Sequence, residues 1–111
     1  MQFHATYRYA RIAPRKVRWV VDLIRGKHVN DALLILRRTN KRASVMVDKT
    51  LRSAMANADE SLEADMENLW VKEVHVEEGP MRRRWRGQPR GRVTIERRRT
   101  CHISIVVDDK K

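Results

Sequence analysis

The most informative stretch of the chain is residues 79–100, which read GPMRRRWRGQPRGRVTIERRRT. It contains nine arginines, one acid (Glu96) and no lysine, so it carries +8 of the net charge of +11. Like charges at this density repel one another, and the segment is expected to order against a polyanion. Most like-charged blocks are solvated, disordered tails. This block is internal, and strand-like sequence flanks it on both sides.

The flanking sequence predicts two strands. Their inward positions are Trp70, Val74 and Val76 before the segment, and Ile103, Ile105 and Val107 after it. Two strands joined by a basic stretch that turns through residues 87–91 predict a long β-hairpin. At about 3.3 Å per residue, residues 79–88 would extend about 33 Å. We therefore predict that residues 79–100 form an arm that projects from a globular body of residues 1–78 and 101–111.

The body begins with a predicted strand and a predicted helix. Residues 3–9 alternate, with Phe3, Ala5, Tyr7 and Tyr9 facing inward. The helix starts at Pro14, where the missing N–H costs nothing, and stops at Gly26. Its buried stripe is Val17, Val20, Val21 and Ile24, and its opposite face is basic.

Two more helices follow. Asn30 is expected to cap the first of them, which ends near residues 37–40, and the second spans residues 41–58. Their inward residues are Ala32, Leu33 and Leu36, then Ala43, Met46, Val47, Thr50, Leu51, Ala54, Met55 and Ala58. Residues 59–67 are acidic and predict a loop that faces water. The chain is therefore one domain, residues 1–111, with an α+β fold: a small three-stranded antiparallel sheet packed with three helices, plus the long projecting hairpin arm.

Composition narrows the possible partners. Charged residues make up 35% of the chain, aromatic residues 5%, and the isoelectric point is about 10.8. This balance favours nucleic acid first and an anionic membrane second. No apolar run approaches the roughly 20 residues that span a bilayer, and the first six residues lack the apolar stretch of a secretory signal. The lone cysteine, Cys101, cannot form an internal disulfide, which suits a reducing compartment.

Catalytic and metal-binding patterns are weak. The four histidines are scattered, without spacing that converges two ligands on a helix face. Cys101 and His102 are neighbours on a strand and face opposite sides, so they cannot act as a nucleophile and its base. The Gly87-x-x-x-Gly91 sequence lacks the Lys-Ser/Thr that follows a phosphate-binding loop. We expect no enzymatic activity, no metal and no cofactor.

Three basic patches predict nucleic-acid binding. The first runs from the first strand into the first helix, the second lies at the junction of the second and third helices, and the third is the arm. Trp85, an exposed aromatic residue among arginines, is suited to stack on a base. Arginine suits both phosphates and unstacked bases, because its guanidinium is planar, bidentate and able to stack.

The chain also resembles a known family, the bacterial form of large-subunit ribosomal protein number twenty-two. The resemblance is carried by ARIAPRKVR (residues 10–18), DLIRGK (22–27), AL (32–33), NKRA (40–43), SAMANA (53–58), EGP (78–80), GR (91–92) and RTCHISI (99–105). It covers nearly the whole chain in the right order. At the hairpin tip the family usually has proline two positions earlier and a small residue where Pro89 stands.

The resemblance implies a structural constituent of the large subunit of the cytoplasmic ribosome. It implies a body on the outer surface of the subunit, and a hairpin that threads between ribosomal RNA domains to line the nascent-peptide exit tunnel, near the macrolide site. Binding of large-subunit ribosomal RNA and assistance in its assembly would be the function. The expected partners are that RNA, neighbouring ribosomal proteins and, transiently, the nascent peptide. We expect a monomer within the ribosome, and neither DNA nor membrane as a partner.

The predicted site residues follow from the patches and the resemblance. The expected RNA-binding residues are Arg8, Arg11, Arg15, Lys16, Arg18, Arg25, Lys27, Lys41, Arg42, Arg82, Arg83, Arg84, Trp85, Arg86, Arg90, Arg92, Arg97, Arg98, Arg99 and His102. The expected tunnel-facing tip is Arg84, Trp85, Arg86, Gly87, Gln88, Pro89 and Arg90.

Two other functions compete with this interpretation. An architectural DNA-binding protein could insert a basic β-ribbon arm with a proline at its tip into the minor groove; such proteins act as dimers. A hydrolase or nuclease would need paired acids, which the sequence lacks.

Overall fold

Five strands and three α-helices form the fold in the computed structural model, which describes residues 1–87 and 89–109. Gln88, and the side chains of Arg86 and Pro89, lie outside the described part. The elements are β1 (Gln2–Ala10), α1 (Pro14–Val21), α2 (Val29–Arg38), α3 (Arg42–Glu60), β2 (Trp70–Glu78), β3 (Arg82–Gly87), β4 (Val93–Arg98) and β5 (Cys101–Asp108). Two short 3₁₀ turns, Met66–Asn68 and Pro89–Gly91, complete this set. The predicted α+β fold is confirmed.

The central strand of the main sheet is β5. The strand order is β1-β5-β2, and both pairings are antiparallel. Every second residue of β5 is completely buried, at Cys101, Ile103, Ile105 and Val107, because alternate side chains of a strand point to one face. This alternation is the one that the sequence predicted.

The helices cover that buried face. In α3 the predicted stripe is confirmed, since Val47, Leu51, Ala54 and Ala58 are completely buried. Alanine at two of these positions lets the helix lie close to the sheet. The side-chain amide of Asn57 donates a 2.8 Å hydrogen bond to the carbonyl of His4, which fixes α3 to β1.

The end of α1 and the start of α2 differ from the prediction. Helix α1 ends at Val21, and a turn then leads to Gly26, which has φ +73° and donates its N–H to Val71 O at 3.0 Å. Helix α2 begins one residue before Asn30, at Val29. Its N-cap is His28, whose Nδ1 accepts the N–H of Asn30 at 3.2 Å, while Nε2 bonds the carbonyl of Glu67 at 2.7 Å. The prediction that Asn30 caps this helix was wrong, because the imidazole of His28 serves as the N-cap acceptor.

The acidic segment is only partly a loop. Asp59 and Glu60 belong to the last turn of α3, so the predicted loop of residues 59–67 begins two residues too early. Alanine and methionine sustain the helical pattern up to Ala58, and nothing at Asp59 or Glu60 stops the helix.

Bulges shift two of the predicted strands. In β1 the register changes between Tyr7 and Ala10, so Ala10 is buried while Tyr9 is 60% exposed. In β2 the register changes between Val71 and Glu73, so Val71 is completely buried and Trp70 is only half-buried. The predictions that Tyr9 and Trp70 face inward were therefore wrong. A bulge adds one residue and reverses the phase of the alternation.

The hairpin of β3 and β4 makes the molecule long. Its extents are 64 × 24 × 17 Å and its radius of gyration is 17.1 Å, against about 13 Å for a compact chain of about 100 residues. Gly79 joins this hairpin to the body, with its N–H donating to Thr100 O at 3.0 Å. The Thr100 hydroxyl donates in turn to Pro80 O at 2.6 Å. A Cβ on Gly79 would lie 2.5 Å from that hydroxyl, so any larger residue at position 79 would displace it.

We expect Gly79→Ala to lower the free energy of unfolding by about 1 kcal/mol, because the new methyl displaces the Thr100 hydroxyl from Pro80 O. Urea unfolding measures it. In a Thr100→Ala background, where the clashing atom is gone, Gly79→Ala should cost nothing. Equal costs of Gly79→Ala in both backgrounds would show that the two residues are not coupled.

Candidate nucleic-acid interface

A cleft of about 770 Å³ lies where the base of the hairpin meets the body. Among its described lining residues are seven cations and no acid. We call this site the cationic cleft, and its cations are Arg11, Lys16, Arg42, Arg82, Arg97, Arg98 and Arg99. The lining is completed by Tyr9, Ile12, Ala13, Pro80 and Thr100. All three predicted basic patches contribute, so residues separated by up to 88 positions meet at one site.

The body side of the cleft is built by the starts of two helices. Helix α1 follows Ala13 and helix α3 follows Lys41, and neither residue caps its helix with a side chain. The first N–H groups of a helix carry a partial positive charge, which adds to that of the side chains. Arg42 donates a 2.7 Å hydrogen bond to the carbonyl of Arg11. This bond fixes the loop between β1 and α1 against α3.

The hairpin side places arginines opposite arginines. In the register of β3 and β4, Arg82 lies opposite Arg98 and Arg83 opposite Arg97. Like charges directly across a strand pair are destabilising. One acid, Glu96, lies opposite Arg84 and contacts Arg98 at 3.6 Å. The hairpin therefore carries repulsion that a polyanion would relieve.

The two faces of the hairpin differ in chemistry. Alternation puts Arg82 and Arg84 on one face, and Arg83 and Trp85 on the other. Trp85 lies opposite Ile95 and is 72% exposed. Together with Val93 they form an apolar strip beside the Arg83–Arg97 pair, which the arginine count alone did not reveal. The strip offers ring and aliphatic surface to bases, and the first face offers charge to phosphates.

Several predicted RNA-binding cations lie outside the cleft. Arg18 donates to Val76 O at 3.2 Å, and Arg25 to Val74 O at 2.9 Å and to Asp22 at 2.7 Å. These two guanidinium groups satisfy carbonyls of β2, an edge strand whose open backbone would otherwise invite another strand. Arg15 lies over the ring of Trp19, 5.6 Å from its centroid. Arg8, Lys27, Lys41 and Arg92 are exposed and also lie outside the cleft.

Two residues of the hairpin turn have left-handed backbone conformations. Arg90 has φ +65° and Gly91 has φ +72°. Glycine adopts this conformation without strain, but arginine does not. Arg90 is exposed. Of the predicted tip residues, Gln88 and the side chains of Arg86 and Pro89 lie outside the described part of the chain.

Tyr9 is a cleft residue that the sequence analysis assigned to the inward side of the first strand. Its N–H donates to His102 Nδ1 at 3.0 Å, and the two rings meet edge-on, 4.9 Å apart at 87°. The predicted RNA-binding residue His102 therefore holds Tyr9 from β5. One weak signal of the bulge was present in the sequence: Ala10 and Ile12 continue the apolar pattern in the opposite phase.

Known proteins match this chain over its whole length. The model of a family described as ribosomal protein L22p/L17e matches residues 5–108. The chain belongs to this family. It is 52% identical over 111 residues to the large ribosomal subunit protein uL22 of Pelotomaculum thermopropionicum, and 49% identical to that of Carboxydothermus hydrogenoformans. Each alignment covers 100% of this chain and 98% of the relative.

Members of the L22p/L17e family are structural ribosomal proteins and not enzymes, in agreement with the sequence prediction. The geometry around Cys101 is consistent with this. Cys101 is completely buried, and burial raises the pKa of its thiol, which makes it a poor nucleophile. Among residues 1–87 and 89–109 no cluster of histidine, cysteine and acidic side chains could hold a metal ion, and no helix is long and apolar enough to cross a membrane.

We expect the double variant Arg11→Gln, Lys16→Gln to reduce the salt dependence of RNA binding. Each neutralised phosphate contributes about 0.7 to the slope of log K against log salt for single strands, so the slope should fall by about 1.4. Filter binding to protein-free large-subunit ribosomal RNA at several salt concentrations measures it. The matched control is Lys49→Gln, Arg52→Gln, two exposed cations of α3 outside the cleft. The same fall in the control would mean that the cleft is not the binding site.

Proposed function

We propose that this protein is a structural constituent of the large subunit of the cytoplasmic ribosome. In this proposal it binds large-subunit ribosomal RNA, assists its assembly and lines the nascent-peptide exit tunnel with its β-hairpin. The observation that carries the proposal is the cationic cleft at the base of a long, arginine-rich hairpin, in a chain of the L22p/L17e family.

The two parts of the single domain divide the work. The body, residues 1–78 and 101–111, has its own buried core and, together with the base of the arm, forms the cationic cleft that faces the RNA backbone. The arm, residues 79–100, extends into the RNA, where phosphates separate the opposed arginines of β3 and β4. Binding releases the counterions held by those phosphates, and this release drives association. Assembly is assisted because one protein holds RNA segments at the cleft and along the arm together.

The tip completes the proposal. The residues assigned to the tunnel wall are Arg84, Trp85, Arg86, Gly87, Gln88, Pro89 and Arg90, and they contact the nascent peptide transiently. The exposed surfaces of the body that do not face RNA contact neighbouring ribosomal proteins. Within the ribosome the protein is a monomer, which separates this proposal from a DNA-binding ribbon dimer.

Sedimentation tests the proposed function. We expect tagged protein, expressed in cells, to travel with large ribosomal subunits at moderate salt, and to bind protein-free large-subunit ribosomal RNA more tightly than duplex DNA. Failure to travel with the subunits, together with equal binding to DNA and ribosomal RNA, would overturn the proposal and favour the DNA-binding alternative.

The arm has its own test. We expect Arg82→Ala, Arg83→Ala, Arg84→Ala to weaken RNA binding and to flatten its salt dependence, because fewer counterions are released. Circular dichroism of the body should barely change, because these side chains are exposed and outside the core. The control removes two exposed cations of α3 that lie outside the predicted basic patches, Lys49 and Arg52, and its effect is compared per charge removed. Loss of the body signal would mean that the segment is part of the core.

A further inference from the structure

Tyr9 occupies a backbone conformation that tyrosine rarely adopts. Its φ is +57°. This is the left-handed region, which residues other than glycine, asparagine and aspartate rarely adopt. The strain is not offset by burial, because 60% of the residue is exposed. Strained residues of this kind persist where the surrounding structure fixes them, and they cluster at binding sites.

Two contacts fix Tyr9 in place. The bulge ends at Ala10, which is completely buried and pairs with Cys101 of β5. The backbone N–H of Tyr9 donates to His102 Nδ1 at 3.0 Å, so this imidazole acts as an acceptor and carries its proton on the other nitrogen. His102 of the central strand therefore fixes the backbone of Tyr9, and the bulge leaves the side chain of Tyr9 exposed.

The tyrosine ring has a free face. It meets the His102 ring at an interplanar angle of 87°, and an edge-on contact uses at most one face of an aromatic ring. The residue lines the cationic cleft together with Arg11 and Arg82. An exposed aromatic face surrounded by cations matches the two parts of a nucleotide, because the ring receives the base and the cations receive its phosphates.

We propose that Tyr9 is a stacking platform for an unpaired base of the RNA that binds the cationic cleft, and that His102 is its positioning residue. This inference rests on the proposed ribosomal RNA binding. It gives the cleft a contact of a second kind, because stacking selects an unstacked base in a loop or bulge whereas the cations bind any phosphate. The RNA at the cleft is therefore an irregular segment and not a continuous duplex.

Substitution of Tyr9 separates stacking from charge. We expect Tyr9→Leu to weaken binding of the full-length protein to protein-free large-subunit ribosomal RNA by about 5- to 150-fold, the range for one base stacked on an aromatic residue. The salt slope should stay unchanged, because no charge is lost. Tyr9→Phe keeps the ring and should bind as the native protein does. Unchanged binding of Tyr9→Leu, or a changed salt slope, would overturn the proposal.

A second variant excludes a purely structural role. Glycine adopts a left-handed φ without strain, so Tyr9→Gly should leave the melting temperature unchanged or raise it while it weakens RNA binding as Tyr9→Leu does. A lower melting temperature with full RNA binding would mean that Tyr9 serves the fold alone. If the native protein itself fails to bind the RNA, the proposed function fails and not the stacking alone.

His102 is tested through its acceptor. His102→Leu removes the acceptor for the Tyr9 N–H and should weaken RNA binding. His102→Asn, which keeps an oxygen acceptor near the Nδ1 position, should recover most of that loss. In a Tyr9→Leu background, His102→Leu should have no further effect on binding. Additive losses would show that His102 acts on the RNA directly and not through Tyr9.

Discussion

The pairing of β5 with two partners is the constraint on which the rest of the structure depends. Strand β5 supplies four completely buried residues to the core and is bonded to β1 on one side and β2 on the other. Because β2 and β5 are antiparallel, the chain must leave and re-enter the body at neighbouring points. The hairpin therefore starts at one end of this pair, at Gly79 and Thr100. His102 lies at the same end of β5. The cleft, the joint between Gly79 and Thr100, and Tyr9 are therefore all positioned by this end of the strand.

The apolar core and most of the net positive charge lie in different parts of the molecule. The body buries its apolar residues against β5. The hairpin has little to bury, and its opposed arginines resist pairing in the absence of counter-charge. In the proposed function, the RNA phosphates supply that counter-charge.

The sequence predicted every long element, because the apolar periodicities of α3 and β5 are strong and because turn residues and flanking strands mark the hairpin. It also predicted which segments are basic. The register changes at Tyr9 and Lys72 were missed, because a bulge is a property of two paired strands and leaves little trace in one. The His28 cap was missed because imidazole is an unusual acceptor at that position. The convergence of Arg11, Arg42 and Arg99 was not predictable, because it depends on how distant elements pack.

The joint at Gly79 also has a mechanical consequence. The direction of the hairpin is set by the hydrogen bonds from Gly79 N–H to Thr100 O and from the Thr100 hydroxyl to Pro80 O, and by the close approach of Gly79 to that hydroxyl. Strand β3 alone carries the turn about 20 Å from this joint at about 3.3 Å per residue. A rotation of the arm by about 10° about this joint displaces the turn by about 3.5 Å. This displacement is close to one base step, which is about 3.4 Å along a nucleic-acid strand. The Thr100 hydroxyl and the absent side chain of Gly79 therefore set the position of the hairpin turn.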